Sequence, residues 1–80
     1  MAKILKFYSP FCGPCKVLEK NLRESKIEYT DINVFEDENS LADKYDIRTI
    51  PSLVKIDSNG DMLNKAVGIL SVEQIKEFAK

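Results

Sequence analysis

Cys12 and Cys15 stand two residues apart, with Gly13 and Pro14 between them, and the chain has no other cysteine. Thiols at that spacing can close a structural disulfide, hold part of a metal site, or act as a reactive dithiol. A structural zinc site takes four Cys or His ligands. With two cysteines and no histidine, one chain cannot complete that set unless carboxylates or a second copy supply the rest. A structural clasp gains little at this separation. Loop-closure entropy gives about 2 kcal/mol for so short a ring before strain, against about 3 kcal/mol for a fifteen-residue loop. The reactive reading explains more of the surrounding residues.

That reading depends on where the pair sits. "KILKFY" (3–8) is rich in strand formers and stops at Ser9-Pro10. From Cys12 to about Ser25, Cys15, Leu18 and Leu22 recur at helical spacing, with Lys16, Glu19, Lys20 and Arg23 between them. The cysteines therefore fall where a strand ends and a helix begins. Unpaired N–H groups and the helix dipole at such an end favour a thiolate, which is the nucleophilic form. Cys12 is expected exposed at the tip as the nucleophile, and Cys15 in the first turn, facing inward. Pro14 suits the first turn because its missing N–H is not needed there. Gly13 is expected to let the backbone turn tightly and to leave the approach to Cys12 open. Lys16 adds a nearby positive charge, or is simply a solvated helix lysine.

The remaining elements follow from pattern. "KIEYTDINV" (26–34) reads as a second strand, and the acidic "EDEN" (36–39) as the opening of a second helix with Leu41, Ala42 and Tyr45 on one face. "SLVKI" (52–56) and "MLNKAV" (62–67) read as two strands joined through "DSNGD" (57–61), whose Asn-Gly pair suits a tight hairpin with positive φ at both central residues. Gly68 breaks the last strand. Ser71 with Gln74 forms a capping-box pattern ahead of a final helix with Val72, Ile75 and Phe78 on its apolar stripe. The order βαβαββα implies an α/β fold: a mixed four-stranded sheet, with one right-handed parallel crossover and an antiparallel hairpin, flanked by three helices.

Eighty residues make one domain, 1–80, with no room for a second core. Twelve basic and thirteen acidic residues are spread along the chain, for a formal net charge of −1. No basic patch recommends nucleic acid or an anionic membrane as partner. Lys3 and Lys6 interrupt the apolar residues near the N-terminus, so no signal-peptide core or membrane-spanning run is present. A cytoplasmic monomer is expected. That compartment keeps thiols reduced, which also counts against a structural disulfide. A C-x-x-C beside a βαβ pattern is the redox signature in such a chain.

"FCGPCK" (11–16), "KYDIRTIPSLV" (44–54), the Asn-Gly hairpin and Val67-Gly68 together resemble the thioredoxin family over nearly all of the chain. The chain is shorter than typical members and lacks their leading strand and helix, which brings its element order close to the smaller glutaredoxins. The resemblance implies a minimal thioredoxin-like fold and a cis peptide bond at Ile50-Pro51, against the cysteine pair. A proline there cannot complete a sheet ladder, so Ile50 can offer its backbone to an extended substrate. Phe11, where thioredoxins usually carry tryptophan, would ring Cys12 with Pro14, Ile50, Gly68 and Ile69 as an apolar docking face. The bland alternative places Phe11 and Ile69 in the core.

One departure stands out. Where thioredoxins carry a buried aspartate six residues before the first cysteine, this chain has Lys6, and the family's partner lysine falls near Asp31. The pair has exchanged signs to serve proton transfer or thiol tuning, or Lys6 snorkels to solvent and Asp31 is an ordinary surface acid. The resemblance implies a protein-disulfide reductase that needs no metal or bound cofactor beyond its own Cys12–Cys15 disulfide. Its substrates would be disulfide-containing proteins, and its electron donor a flavin- and NADPH-dependent thioredoxin reductase. Glutathione is the less favoured donor, because "VGILS" (67–71) lacks the second glycine and the acids of a glutathione-gripping turn. A redox-independent binding module using the same apolar face is the alternative from another class, and an oxidase or isomerase is disfavoured by proline in place of histidine between the cysteines.

Overall fold

The computed structural model describes residues 2–80. Its elements are β1 (Lys3–Tyr8), α1 (Gly13–Ser25), β2 (Thr30–Asn33), α2 (Leu41–Lys44), β3 (Ser52–Ile56), β4 (Met62–Val67) and α3 (Val72–Ala79). The strands form one sheet in the order β2-β1-β3-β4. β1 runs parallel to β2, from Leu5 opposite Thr30 to Tyr8 opposite Asn33. β1–β3 and β3–β4 are antiparallel, so the sheet is mixed, as the element order implies.

Alternation along the strands divides the core in two. Ile4 and Leu53 meet Leu18 and Leu22 of α1, and Leu70, Ile75 and Phe78 of the α3 region, on one face. Leu5, Phe7 and Val54 meet Tyr45, with Leu41, Ala42, Ile47 and Ile50 packed around them, on the other. β1 is central and covered on both sides, so Ile4, Leu5, Lys6 and Phe7 are buried in an unbroken run. Lys6 shares the pleat face of Ile4 and lies under α1. The N-terminus of α3 is closed by the expected capping box: the Ser71 hydroxyl accepts from the Gln74 N–H at 3.2 Å, and the Gln74 amide oxygen accepts from the Ser71 N–H at 2.9 Å.

Three local expectations give way to side-chain hydrogen bonding. The strand expected over 26–34 is confined to Thr30–Asn33. Lys26 takes a left-handed conformation to end α1, and the Ser25 hydroxyl donates to the Leu22 carbonyl at 2.6 Å, so 26–29 are spent leaving the helix. The second helix does not open at 36–39 but is a single turn, Leu41–Lys44. The Asp37 carboxylate satisfies the Leu41 and Ala42 N–H groups at 2.9 and 2.7 Å from outside it. In the hairpin only Gly60 has positive φ, +86°, and Asn59 does not. Asp57 governs this turn, its carboxylate accepting from Asn59 and Asp61 N–H groups at 2.8 and 3.0 Å. A register shift follows on β4, where Lys55 faces Asn64 but Ile56 faces Met62, leaving Leu63 as the extra residue of a bulge.

What this architecture positions is one end of the sheet. β1 and β2 finish together, with Val34 N–H donating to the Tyr8 carbonyl at 2.9 Å. β3 begins and β4 ends at the same edge, since Ser52 faces both Phe7 and Val67, and Gly68 N–H donates to the Pro51 carbonyl at 2.9 Å. The loops 9–12, 34–40, 49–51 and 68–71 therefore cluster beyond the carboxyl ends of the parallel strands, the usual place for a site in an open α/β sheet.

Leu18 is fully buried and ties the cysteine-bearing helix to the sheet. Leu18→Ala is expected to cost about 2–5 kcal/mol of unfolding free energy, measured by urea denaturation, because the cavity left between α1 and β1 cannot fully collapse.

Candidate functional site

The chain leaves β1 through a short turn anchored by Ser9. The buried Ser9 hydroxyl accepts the Phe11 N–H at 3.0 Å, and its carbonyl accepts the Cys12 N–H at 3.2 Å. Cys12 is the N-cap of α1, in an extended conformation, and its Sγ accepts the Cys15 N–H at 3.1 Å. Cys12 and Cys15 are joined in a disulfide, with their Cα atoms 5.3 Å apart. Cys12 is partly exposed, whereas Cys15 has only 3% of its surface accessible. Pro14 lies in the first helical turn and is exposed. Gly13 has helical backbone with no positive φ and open space where a Cβ would stand. The backbone bend expected there is made instead by the Ser9–Cys12 turn.

The Ile50–Pro51 peptide bond is cis. Pro51 is buried beside the end of β1 in the sheet register, and Ile50 turns its side chain partly into the core around Phe7 and Tyr45. Of the ring expected around Cys12, Ile50 is thus half in the core, whereas Phe11 is 88% exposed and Ile69 is also exposed. Gly68 takes φ +93°, a conformation that favours glycine, and carries the loop onward to Ile69. Asn21 of α1 holds that loop, its side-chain amide donating to the Leu70 carbonyl at 2.9 Å.

Lys6 is buried, at 2% accessibility, and its Nζ lies 2.8 Å from Asp31 Oδ1. The ammonium also sits over the Tyr8 and Tyr29 rings, 5.0 and 5.2 Å from their centroids. It does not reach past the sheet to water; the half-exposed Asp31 brings its charge to it from the neighbouring strand. Lys6, Asp31 and Cys15 all line one cavity of about 150 Å³, with Tyr8, Ser9, Pro10, Lys16 and Glu19. The buried Cys15 and the ion pair therefore line one common space, large enough for several waters at about 30 Å³ each. Among the described residues, no group of three or more His, Cys, Asp or Glu is arranged to hold a metal ion.

Two exposed residues at this end were not expected in the docking face. Phe35 is 71% exposed, and its ring lies edge-on to Phe11 with centroids 6.4 Å apart. Val67 is also exposed beside Gly68. The available signal for Phe35 was an aromatic residue inside the acidic loop "VFEDEN", just past the strand parallel to the one that leads into Cys12.

The thioredoxin family model matches residues 2–80. The chain belongs to the thioredoxin family. It is 31% identical to a thioredoxin of Mycoplasmoides gallisepticum, over 96% of this chain and 80% of that one. It is 30% identical to the mitochondrial thioredoxin of Mus musculus over 96% of its own length, but spans only 49% of that relative. A thioredoxin variant structure from Halobacterium salinarum NRC-1 superposes with a TM-score of 0.81 at 27% identity, covering 96% of this chain and 70% of that one. Thioredoxin-family membership together with a disulfide-forming Cys12–Cys15 pair supports a thiol–disulfide oxidoreductase. Among the described residues no helix is long and apolar enough to cross a membrane.

The difference in accessibility between the two cysteines has a direct readout. Brief alkylation of the reduced protein is expected to label Cys12 well before Cys15, as read by peptide mass spectrometry. Faster labelling of Cys15 would reverse the assignment of the accessible thiol.

Proposed function

We propose that the chain is a cytosolic, single-domain redox carrier that reduces disulfides in other proteins, with Cys12 as nucleophile and Cys15 as resolving thiol. The observation that carries this reading is a partly exposed cysteine at a helix N-terminus, disulfide-bonded to a buried one in the first turn. Starting from the dithiol, the Cys12 thiolate attacks one sulfur of a substrate disulfide. The substrate S–S bond breaks, a Cys12–substrate disulfide forms, and the departing substrate sulfur takes up a proton. Cys15 then gives up its proton, and its thiolate attacks Cys12 Sγ. The mixed disulfide breaks, the second substrate thiol leaves, and the Cys12–Cys15 disulfide remains. Two electrons and two protons pass to the substrate.

The docking face is assigned to Phe11, Pro14, Ile50, Pro51, Gly68 and Ile69, with the Ile50 backbone paired to an extended substrate segment. Gly13, with open space where a Cβ would stand, is assigned the role of leaving the path to Cys12 clear. No bound metal or cofactor takes part. An NADPH-dependent thioredoxin reductase is the proposed donor, with glutathione the weaker candidate. Insulin-disulfide reduction, driven by a thioredoxin reductase system or by glutathione, tests both points. Turnover is expected with the reductase, none with Cys12→Ser, and a trapped mixed disulfide through Cys12 with Cys15→Ser. Undiminished activity in a variant lacking both cysteines would overturn the redox reading in favour of a binding module.

The cavity shared with Cys15 supports a role for Lys6 and Asp31 in the second step. An inward-facing thiol ionises reluctantly. Asp31 would take its proton through the cavity, and the Lys6 ammonium would stabilise the thiolate left behind. Both Asp31→Asn and Lys6→Met are expected to slow release of the mixed disulfide by roughly tenfold or more, leaving the first attack by Cys12 almost unchanged. Rapid-mixing kinetics separate the steps, and release at the parent rate in both variants would reduce the pair to a structural one.

A further inference from the structure

Phe11 and Phe35 are the two most exposed large apolar side chains among the described residues, and they meet each other. The backbone N–H of each is held by a neighbouring side chain. Phe11 stands on the Ser9 turn, whose hydroxyl and carbonyl accept two successive N–H groups. Phe35 stands on a turn built by Asn33, whose side-chain oxygen accepts the Phe35 N–H at 2.9 Å and whose carbonyl accepts the Glu36 N–H at 2.9 Å. The Asn33 side-chain amide also donates to Glu36 at 3.0 Å. Both anchoring residues close parallel neighbours: Asn33 ends β2 opposite Tyr8, and Ser9 follows Tyr8 directly. The sheet therefore sets the spacing of the two rings, at an interplanar angle of 65°. Aromatic rings left in water on rigid turns present ready apolar area with little further ordering to be done on binding.

We propose that Phe35 is a specificity-determining residue for the reaction described above: with Phe11 it forms an aromatic seat for a bulky apolar side chain flanking the substrate's disulfide cysteine. This rests on the redox reading of Cys12. The occupant follows from continuity with that site. Phe11 is the residue next to Cys12, so whatever lies on the Phe11–Phe35 pair during attack belongs to the segment that carries the attacked disulfide. The seat is apolar, and the loop beyond it carries Glu36, Asp37 and Glu38, so an acidic side chain is the poorest occupant. Phe35 acts on substrate affinity and touches no reacting atom.

The test uses two short synthetic peptides, each with one internal disulfide, differing only in a leucine or an aspartate beside the cysteine. Reduced protein is mixed with each, with dithiothreitol regenerating the dithiol, and a small aromatic disulfide serves as a substrate too short to reach both rings. The parent is expected to favour the leucine peptide in kcat/KM by roughly tenfold or more. Phe35→Ala should bring that preference down to about twofold or less, mainly through KM, while Phe35→Tyr retains it and the small disulfide reacts at the parent rate with both. Equal preference in the parent and Phe35→Ala overturns the proposal. So does a uniform loss on all three substrates accompanied by a fall in unfolding free energy, since that would make the ring pair a loop brace. If the parent reduces none of the three, the redox reading itself fails, and the seat fails with it.

Discussion

The ammonium of Lys6 is a charge enclosed in the central strand, and the arrangement around the cysteines is organised by the need to keep it there. Removing such a group from water costs several kcal/mol, and the cost is met only where a counter-charge and polarisable neighbours are held in place. Here Asp31 lies 2.8 Å away, and two tyrosine rings face the ammonium at about 5 Å. Lys6 and Asp31 are direct partners in the parallel β1–β2 register. A slip of one residue would turn Asp31 to the opposite face and strand the lysine. The ion pair thus favours the one alignment in which both strands end together, and that alignment places the Ser9 and Asn33 turns side by side.

From there the site follows by short covalent steps. Ser9 collects the N–H groups of Phe11 and Cys12, Cys12 caps α1, and Leu18 and Leu22 press α1 against the face that contains Lys6. The same helix carries Cys15 into the cavity it shares with the ion pair. Stability and reactivity make opposite demands at this end. A lysine inside and aromatic rings outside are both unfavourable taken alone, and replacing a buried ion pair with apolar residues often stabilises a fold. Both features lie toward the end of the sheet that carries Cys12, while the remaining core is ordinary aliphatic and aromatic packing. Removing Asp31 alone is the harmful direction, with a cost of about 1–3 kcal/mol once the value for a fully buried pair is discounted for its half-exposed carboxylate.

Much of this was legible in the chain itself. Helical spacing at Cys15, Leu18 and Leu22, the Ser71–Gln74 capping box and the strand–helix alternation lead to the observed mixed sheet because each is a local pattern with one structural outcome. The motif "FCGPCK" and the "RTIPSLV" segment led to the family. The failures were places where a side chain competes with the backbone for hydrogen bonds. Asp37 satisfies a helix end from outside, so "EDEN" is a cap and not a first turn. Asp57 does the same in the hairpin and leaves Asn59 without the positive φ that an Asn-Gly pair suggests. Burial of Lys6 and the approach of Phe35 to Phe11 could not be read from spacing, because both depend on which strands lie side by side. Only the sheet register brings residue 6 to residue 31 and residue 11 to residue 35.

In the proposed reaction, electrons leave this protein from the Cys12–Cys15 dithiol. The most direct measurement is a single-turnover reaction of the fully reduced protein with an excess of a disulfide-containing protein, with every other reductant removed, followed by thiol counting and peptide mapping. One Cys12–Cys15 disulfide is expected for each substrate disulfide lost, with no other residue changed. Substrate that stays oxidised, or substrate reduced while Cys12 and Cys15 remain thiols, would contradict it.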